Sequence, residues 1–418
     1  MVEQNAMCEK ILRKLEHILS INTEIQEFAI VPTPEIEKNK SPVLYEHNCL
    51  GIESWCKQYL LQYTHSNLLE ARKDLIRNSL TFEEKKNLNR VLIGALLIQP
   101  NVTTFWNMKR ELVKSDILNT QLELDFSRIA LTYHSKCNEI FSYRKWLIDL
   151  INLKQKNYAL YKNELSLCET ATEKSKNNYH AWNHRIWCLQ NISAQYLEDM
   201  LISELNFSLS WISKHISEFS GFFYRQVLIN SLHNLKSLFQ IQMFNLEGIL
   251  KYLKFSTLYD DPLYVFFHLL GKSNVFPIIE DCPKFVNLLA VLLHDLTYIS
   301  TELNFLYCDH ECLWNYRKFL VIHIMNVLYE YHGVVFHYHL VIPSENRTSL
   351  NEINMLNLDI KEVRNEIPRK VSSSNLYKIV IQNELEFIES NKNMVNILQN
   401  NLALRYFKWL KCSNFYKY

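Results

Sequence analysis

The chain has 418 residues, with 45 basic and 44 acidic side chains and a net charge of +1, so it carries no basic field to attract nucleic acid or an anionic membrane. Its 6 Gly and 9 Pro are too few for the many tight turns of an all-β protein. Abundant Leu, Asn, Lys, Glu and Ile suit long polar-faced helices, and the length fits either a few ordinary domains or one elongated repeat domain. In chain order, residues 1–28 form an amphipathic stretch with Ile11, Leu15, Ile18 and Leu19 at helical spacing. Pro32, Pro34, Pro42 and Gly51 then exclude a regular helix over 29–51, which is expected to lie extended on the surface. A helical pattern runs from Gly51 to about residue 238 and is broken over 239–285 by Pro262, Gly271, Pro277 and Pro283. It returns at 286–306 and 310–331, gives way to a β-like run within 332–350 and a polar loop over 350–373, and ends in one or two helices from Ser374 to Lys411.

An internal repeat organises this pattern. Trp106, Phe141, Trp182, Phe222 and Trp314 are each followed three positions later by a basic residue: Lys109, Arg144, Arg185, Arg225 and Arg317. The anchors are 35, 41, 40 and 92 residues apart, so the last interval leaves room for one degenerate unit within 239–285. Each unit reads as an amphipathic helix, a short polar connection and the anchor helix, an αα-hairpin that buries its apolar face only by stacking on its neighbours. The arginine beside the anchor face can pack its stem while its guanidinium reaches helix ends or carboxylates of the next hairpin, a structural role. The expected fold is therefore all-α, a right-handed superhelix of hairpin repeats. Its expected divisions are 1–79 (N-terminal helices with the extended segment), 80–331 (repeats) and 332–418 (an irregular segment and C-terminal helices).

The ten cysteines are scattered, form no CxxC pair and mostly sit in apolar stretches, as do Cys56, Cys168 and Cys188; buried free thiols in a reducing compartment are expected. Met1 to Lys10 carries Glu3 and Glu9 and lacks the apolar core of a signal peptide. There is no run of ~18 apolar residues to span a membrane. Cys412 stands seventh from the end, outside a prenylation box. The expected compartment is cytoplasmic.

The segment Asn178-Tyr179-His180-Ala181-Trp182-Asn183-His184-Arg185-Ile186-Trp187 resembles the signature repeat of protein prenyltransferase alpha subunits. The other four units keep the aromatic–basic spacing without the Asn-Tyr lead-in, and Pro100-Asn101 with Trp106-Asn107 and Arg110 is similar to the family's first units. Ser41-Pro42-Val43-Leu44 and Leu50-Gly51-Ile52-Glu53-Ser54-Trp55-Cys56 resemble one branch, the alpha subunit repeat-containing proteins. The resemblance implies the alpha subunit of a heterodimeric protein geranylgeranyltransferase, partnered by the beta subunit otherwise used for Rab proteins. Such an enzyme transfers an isoprenyl group from its diphosphate to a C-terminal cysteine of a protein substrate. Zinc and the isoprenoid pocket are implied to belong to beta, with no cofactor held by this chain.

For alpha the resemblance leaves the leaving group, a diphosphate whose growing charge needs positioned cations and hydroxyl donors. In the family a lysine five residues before an anchor aromatic contributes; counting back from Phe141 gives Lys136. Tyr179 and His180 match the Tyr-His that faces the diphosphate and substrate. One departure is that Cys137-Asn138 stand where the family often has Asn-Tyr after the lysine. The bland readings are a solvated loop lysine at 136 and a helix cap at 179–180.

Other constellations carry less. His180 and His184 have the i, i+4 spacing of a metal pair but no third ligand, and His184 stands where other units carry Tyr or Met. Cys308-Asp309-His310-Glu311-Cys312 leads into an anchor helix, where a polar cap is needed, so helix initiation is favoured over zinc. His294-Asp295 lack a nucleophile elbow, and there is no Walker loop or GxGxxG. The rival to the enzyme-subunit reading is a non-catalytic helical-repeat scaffold for protein–protein interaction, with the same fold.

Overall fold

The computed structural model describes residues 2–34, 37–77, 79–154, 158–234, 282–331, 375–392 and 396–413. Most of 239–285, with its expected degenerate unit, and the whole of 332–373 lie outside them. The chain divides into two compact units, Met1–Leu197 and Glu198–Tyr418.

The first unit opens with α1 (Val2–Ile21), whose Ile11, Leu12, Leu15 and Ile18 are buried. A small sheet follows: β1 (Glu27–Val31) pairs parallel with β3 (Cys49–Glu53), and β2 (Val43–Glu46) pairs antiparallel with β3. His47 and Asn48 turn the β2–β3 hairpin with φ of 47° and 61°, a left-handed pair that suits a two-residue loop. This corrects the expectation for 29–51. The segment is extended, but Phe28, Val43, Leu50 and Ile52 are buried, and the Phe28 N–H donates to Thr132 Oγ1 at 2.9 Å. The prolines that obscured the period-two pattern fall outside the strands, where a missing N–H breaks no ladder bond.

Helices α2 (Lys57–Ile76) and α3 (Phe82–Ile98) come next, α3 starting at a Thr81–Glu84 capping box. On α3, Gly94 lies against α1 so closely that a Cβ would be 2.1 Å from Leu12 Cδ2. Then come α4 (Thr103–Lys114) and two hairpins, α5 (Thr120–Tyr133) with α6 (Asn138–Lys154), and α7 (Tyr158–Lys174) with α8 (Tyr179–Asn191). Asn119 and Asn178 cap α5 and α8 by accepting backbone N–H bonds. In the second unit α9 (Ala194–Lys214) pairs with α10 (Phe219–Asn234). After it come α11 (Cys282–Thr297), a π turn (Tyr298–Glu302), α12 (Leu303–Leu306) and α13 (Glu311–Tyr331). Last are α14 (Asn375–Lys392) and α15 (Ile397–Cys412). The anchors Trp106, Phe141, Trp182, Phe222 and Trp314 are all buried near the starts of α4, α6, α8, α10 and α13. The all-α repeat architecture expected from the sequence is the one the chain adopts.

What joins the hairpins is a set of buried rungs. In the first unit Lys109 Nζ meets Glu123 at 2.8 Å, and Arg144 Nε and Nη2 meet Glu164 at 2.9 and 2.5 Å. In the second, Arg225 holds both Asp295 oxygens at 2.7 Å, and Arg317 holds those of Glu384 at 2.7 and 2.8 Å. Each acid belongs to the hairpin after its cation and also accepts from that hairpin's second helix. The donors are Tyr143 to Glu123 (2.7 Å), His184 to Glu164 (2.8 Å), Tyr316 to Asp295 and Tyr406 to Glu384 (2.6 Å). The spare Nη1 of Arg144 turns back to Leu124 O and Ser127 Oγ, and that of Arg225 to Leu205 O and Ser208 Oγ. Full pairing is what makes such charges tolerable in a core, because an uncompensated buried ion costs several kcal/mol.

Two details follow from this register. Arg225 reaches Asp295 directly, so the Phe222 and Trp314 hairpins are adjacent rungs. Helices α14 and α15 form a further hairpin that receives Arg317, while Phe407 takes the place of an onward arginine one position after Tyr406.

Candidate functional site

Lys136 sits in the connection between α5 and α6, the position that five residues' spacing from Phe141 demands. The turn is closed by Cys137 N–H donating to His134 O at 2.9 Å, and the His134 ring bonds Leu97 O at 2.9 Å. Ser135 is buried, its hydroxyl 2.6 Å from that of Ser175 in the corresponding connection of the next hairpin. Asn178, fully buried, fastens the two connections together. Its Nδ2 donates to Ser135 O at 2.6 Å and to Ala171 O at 3.2 Å, while Oδ1 accepts from Ala181 N–H at 3.2 Å. Tyr179 and His180 follow as the first residues of α8.

The structure thus brings the Lys136 loop and the Tyr179–His180 helix start to the same end of neighbouring hairpins. Lys136 is exposed, Tyr179 is 41% exposed and His180 is half-buried. No direct bond joins the three; Asn178 is the link. Burial holds the His180 ring below the ordinary imidazole range, and Lys145 adds to this while Glu139 opposes it. At neutral pH the ring is therefore uncharged, able to donate from one nitrogen and accept at the other. Cys137 donates to Glu139 Oε2 at 3.4 Å, and burial together with Glu139 pushes its thiol up to about 12, so it is no nucleophile. The arrangement offers an anion one ammonium, one phenol and one neutral imidazole.

The remaining constellations resolve into structure. His184, fully buried, points its Nε2 at Glu164 and fills the place that Tyr143 and Tyr316 hold in other rungs, which accounts for its odd position in the repeat. Its Nδ1 has no partner, as befits a neutral ring with the proton on Nε2. Around Cys308–Cys312, Asp309 adopts φ 75° and its N–H donates to Gln399 Oε1 at 3.0 Å. His310 Nδ1 lies 3.1 Å from Ser217 Oγ, and α13 begins at Glu311. Among the described residues no group of three or more His, Cys, Asp or Glu is placed to hold a metal ion. Nor is any described helix long and apolar enough to cross a membrane. The described cysteines are free, with Cys8, Cys56, Cys168 and Cys188 buried.

Sequence reasoning missed the rung acids. Their signal was available: Glu123 and Glu164 each stand eighteen residues before an anchor, and Ser127 follows Glu123 one turn later. In the sequence Asn178 stands only as part of the Asn-Tyr lead-in; in the fold its amide ties the two connections together.

Comparison with known proteins agrees with this anatomy. The family model of the protein prenyltransferase alpha subunit repeat matches residues 120–159 and 161–192, the α5–α6 and α7–α8 hairpins. The chain is 30% identical over 248 residues to protein prenyltransferase alpha subunit repeat-containing protein 1 of Danio rerio, covering 55% of this chain and 57% of that protein. To the protein of that name from Homo sapiens it is 29% identical over 333 residues, 76% of this chain and 77% of the other. The geranylgeranyl transferase type-2 subunit alpha of Candida albicans is 27% identical over 161 residues, 34% of this chain and 42% of that protein. The match to the Danio rerio protein spans a little over half of that relative's length. The chain thus carries protein prenyltransferase alpha subunit repeats over residues 120–159 and 161–192 and is similar to the alpha subunit repeat-containing proteins over much of its length.

Proposed function

We propose that the chain is the alpha subunit of a cytoplasmic heterodimeric protein geranylgeranyltransferase. The observation that supports this best is the Asn178–Ser135 bond, which sets Lys136, Tyr179 and His180 at one end of adjacent hairpins. The reaction joins a substrate cysteine sulfur to the allylic carbon of the isoprenyl diphosphate and breaks the carbon–oxygen bond, and diphosphate departs with the electron pair. The Lys136 ammonium neutralises charge on the departing oxygens, while the Tyr179 hydroxyl and the His180 N–H donate to them. Zinc, held by the beta subunit, supplies the thiolate form of the acceptor cysteine. The partner is a beta subunit of the Rab type, and the acceptors are proteins with C-terminal cysteines.

A non-catalytic scaffold is the second reading, favoured by one observation: Cys137-Asn138 replace the Asn-Tyr pair that α8 carries as Asn178-Tyr179. Co-expression with a Rab-type beta subunit and transfer of labelled geranylgeranyl groups to cysteine-ending acceptors separates the two. The enzyme reading expects a stable heterodimer with turnover that falls about a hundredfold or more in Lys136→Ala, the order expected for losing one charge-stabilising group. A dimer whose turnover is untouched by Lys136→Ala, Tyr179→Phe and His180→Ala removes the catalytic assignment. Absence of any dimer favours the scaffold.

A further inference from the structure

Two kinds of basic side chain stand on the second helices of the first unit. Lys109 and Arg144, three residues after their anchors, are buried and neutralised by Glu123 and Glu164. Arg110 and Lys145, one position further on, are half-buried and in ion pairs with no carboxylate among the described residues. Both are nevertheless held in place. The Arg110 guanidinium lies 5.5 Å from the Tyr143 ring centroid and 5.7 Å from that of Trp146, and Lys145 Nζ lies 5.6 Å from that of Trp187. Tyr143 and Trp146 are themselves stacked, with centroids 5.9 Å apart. Each cation of one hairpin therefore rests on an aromatic ring of the next, in the same register, along α4, α6 and α8.

Arg110 spends one N–H on Asn107 Oδ1, at 2.6 Å, and keeps its other donors. Asp149, one turn beyond Lys145, compensates it only in part, since burial draws the Lys145 ammonium down and the Asp149 carboxyl up. A cation fixed on a ring has already lost the side-chain freedom that binding would otherwise remove. Arg110, Trp146 and Trp187 are half-buried, and Arg and Trp are also the residue types that carry the energy of protein interfaces. Two cations on a chain of net charge +1 do not make a nucleic-acid or lipid surface, both of which need a wider basic field. The fit is to a protein surface with a few acidic groups among apolar ones.

We propose that this stripe is the docking face for the partner subunit, which sets Asp or Glu side chains opposite Arg110 and Lys145 and apolar side chains against Trp146 and Trp187. The inference rests on the enzyme-subunit reading and adds to it where the partner binds.

The test is the affinity of the purified chain for a Rab-type beta subunit, as wild type, Arg110→Glu/Lys145→Glu, Arg110→Gln/Lys145→Gln, and Lys162→Glu on α7 as the control charge change. Charge reversal is expected to weaken binding by about a hundredfold or more and the Gln pair by about tenfold, with the control unchanged. Wild-type affinity should fall with added salt, and the Gln pair should respond less. The Gln pair keeps long stems and adds no like charge, so its melting temperature should match the wild type and its loss of binding reports the contact. Reversal variants that bind beta as tightly as the wild type overturn the docking face and leave the enzyme reading standing. A wild type that binds no beta subunit overturns the enzyme reading, and the docking face with it.

Discussion

Arg144 and Glu164, on successive hairpins, form a two-bond clamp in which both side chains are almost wholly buried, with Nε and Nη2 of the arginine at 2.9 and 2.5 Å from the two carboxylate oxygens. Removing one side of such a pair strands the other in the core. Arg144→Ala and Glu164→Ala should each cost about 3–5 kcal/mol in urea unfolding, and the double variant should cost clearly less than their sum. Costs that simply add would mean the two groups do not depend on each other.

The same clamp sets the response to acid. Burial alone would raise the Glu164 carboxyl, but Arg144 and His184 outweigh it and hold it down at about 2, against an ordinary value of 4.5. Asp295 is held at about 2, against 3.8, where Arg225 and His294 overcome its burial. Both folded-state values lie below the unfolded ones, so this stability is complete above about pH 4.5 and drains away toward pH 2, roughly 2–3 kcal/mol for each group. Burial also holds the His184 ring below the ordinary 6.5, despite Glu164, so a smaller loss begins as pH falls through that value. Unfolding free energy measured from pH 7 downward should therefore fall slightly first and steeply below about 4.5. A flat profile to pH 3 would contradict the assignment.

His184→Tyr places at this rung the residue used by its neighbours, with an O–H to give to Glu164. It should fold with stability within about 1 kcal/mol of the wild type and lose the shallow step near pH 6.5. His184→Phe leaves one Glu164 bond unmade and should cost about 1–3 kcal/mol. Thermal and urea unfolding of the two variants side by side decide it.

The π turn at Tyr298–Glu302 has a simple origin. Glu123 to Ser127 and Glu204 to Ser208 are four residues apart, but Asp295 to Ser300 are five. Arg317 still meets Ser300, and Tyr316 still meets Asp295, so one extra residue has been absorbed as a bulge in the helix. Deleting Tyr298 should restore a regular helix with both rungs kept, shifting the melting temperature by only a few degrees. Deleting Ile202 from the regular α9 has no bulge to consume and should abolish folding of that unit. Circular dichroism and a melting curve on each deletion are sufficient.

Much of this was legible because the repeat writes its largest side chains at fixed intervals. Phe141 and Arg144 announce a helix, a buried face and a reach toward the next hairpin within four positions. The Lys136 loop and the Tyr179–His180 start could be placed for the same reason. The sheet at 27–53 was hidden because its strands are only four or five residues long and separated by prolines, so no window shows a clean alternation. The hairpin of α14 and α15 was hidden for the opposite reason. It shares the rung through Glu384 and Tyr406 but has Leu404 and Phe407 where an anchor aromatic and an arginine would have marked it. A carboxylate in a helix reads as solvent-facing until its cation, 20 residues away in the case of Glu164 and 67 in that of Glu384, is brought to it by the fold.

Because Glu123, Glu164, Asp295 and Glu384 each accept from two hairpins at once, no hairpin that contains one of them is electrically complete by itself. A cut between any two of these neighbours leaves an orphan cation on one fragment and an orphan acid on the other, each newly exposed to water or stranded against apolar surface. Fragments of this protein chosen at loop boundaries should therefore complement one another when mixed far better than either folds in isolation. Splitting at the connection between α6 and α7 turns the Arg144–Glu164 clamp into an intermolecular adhesive.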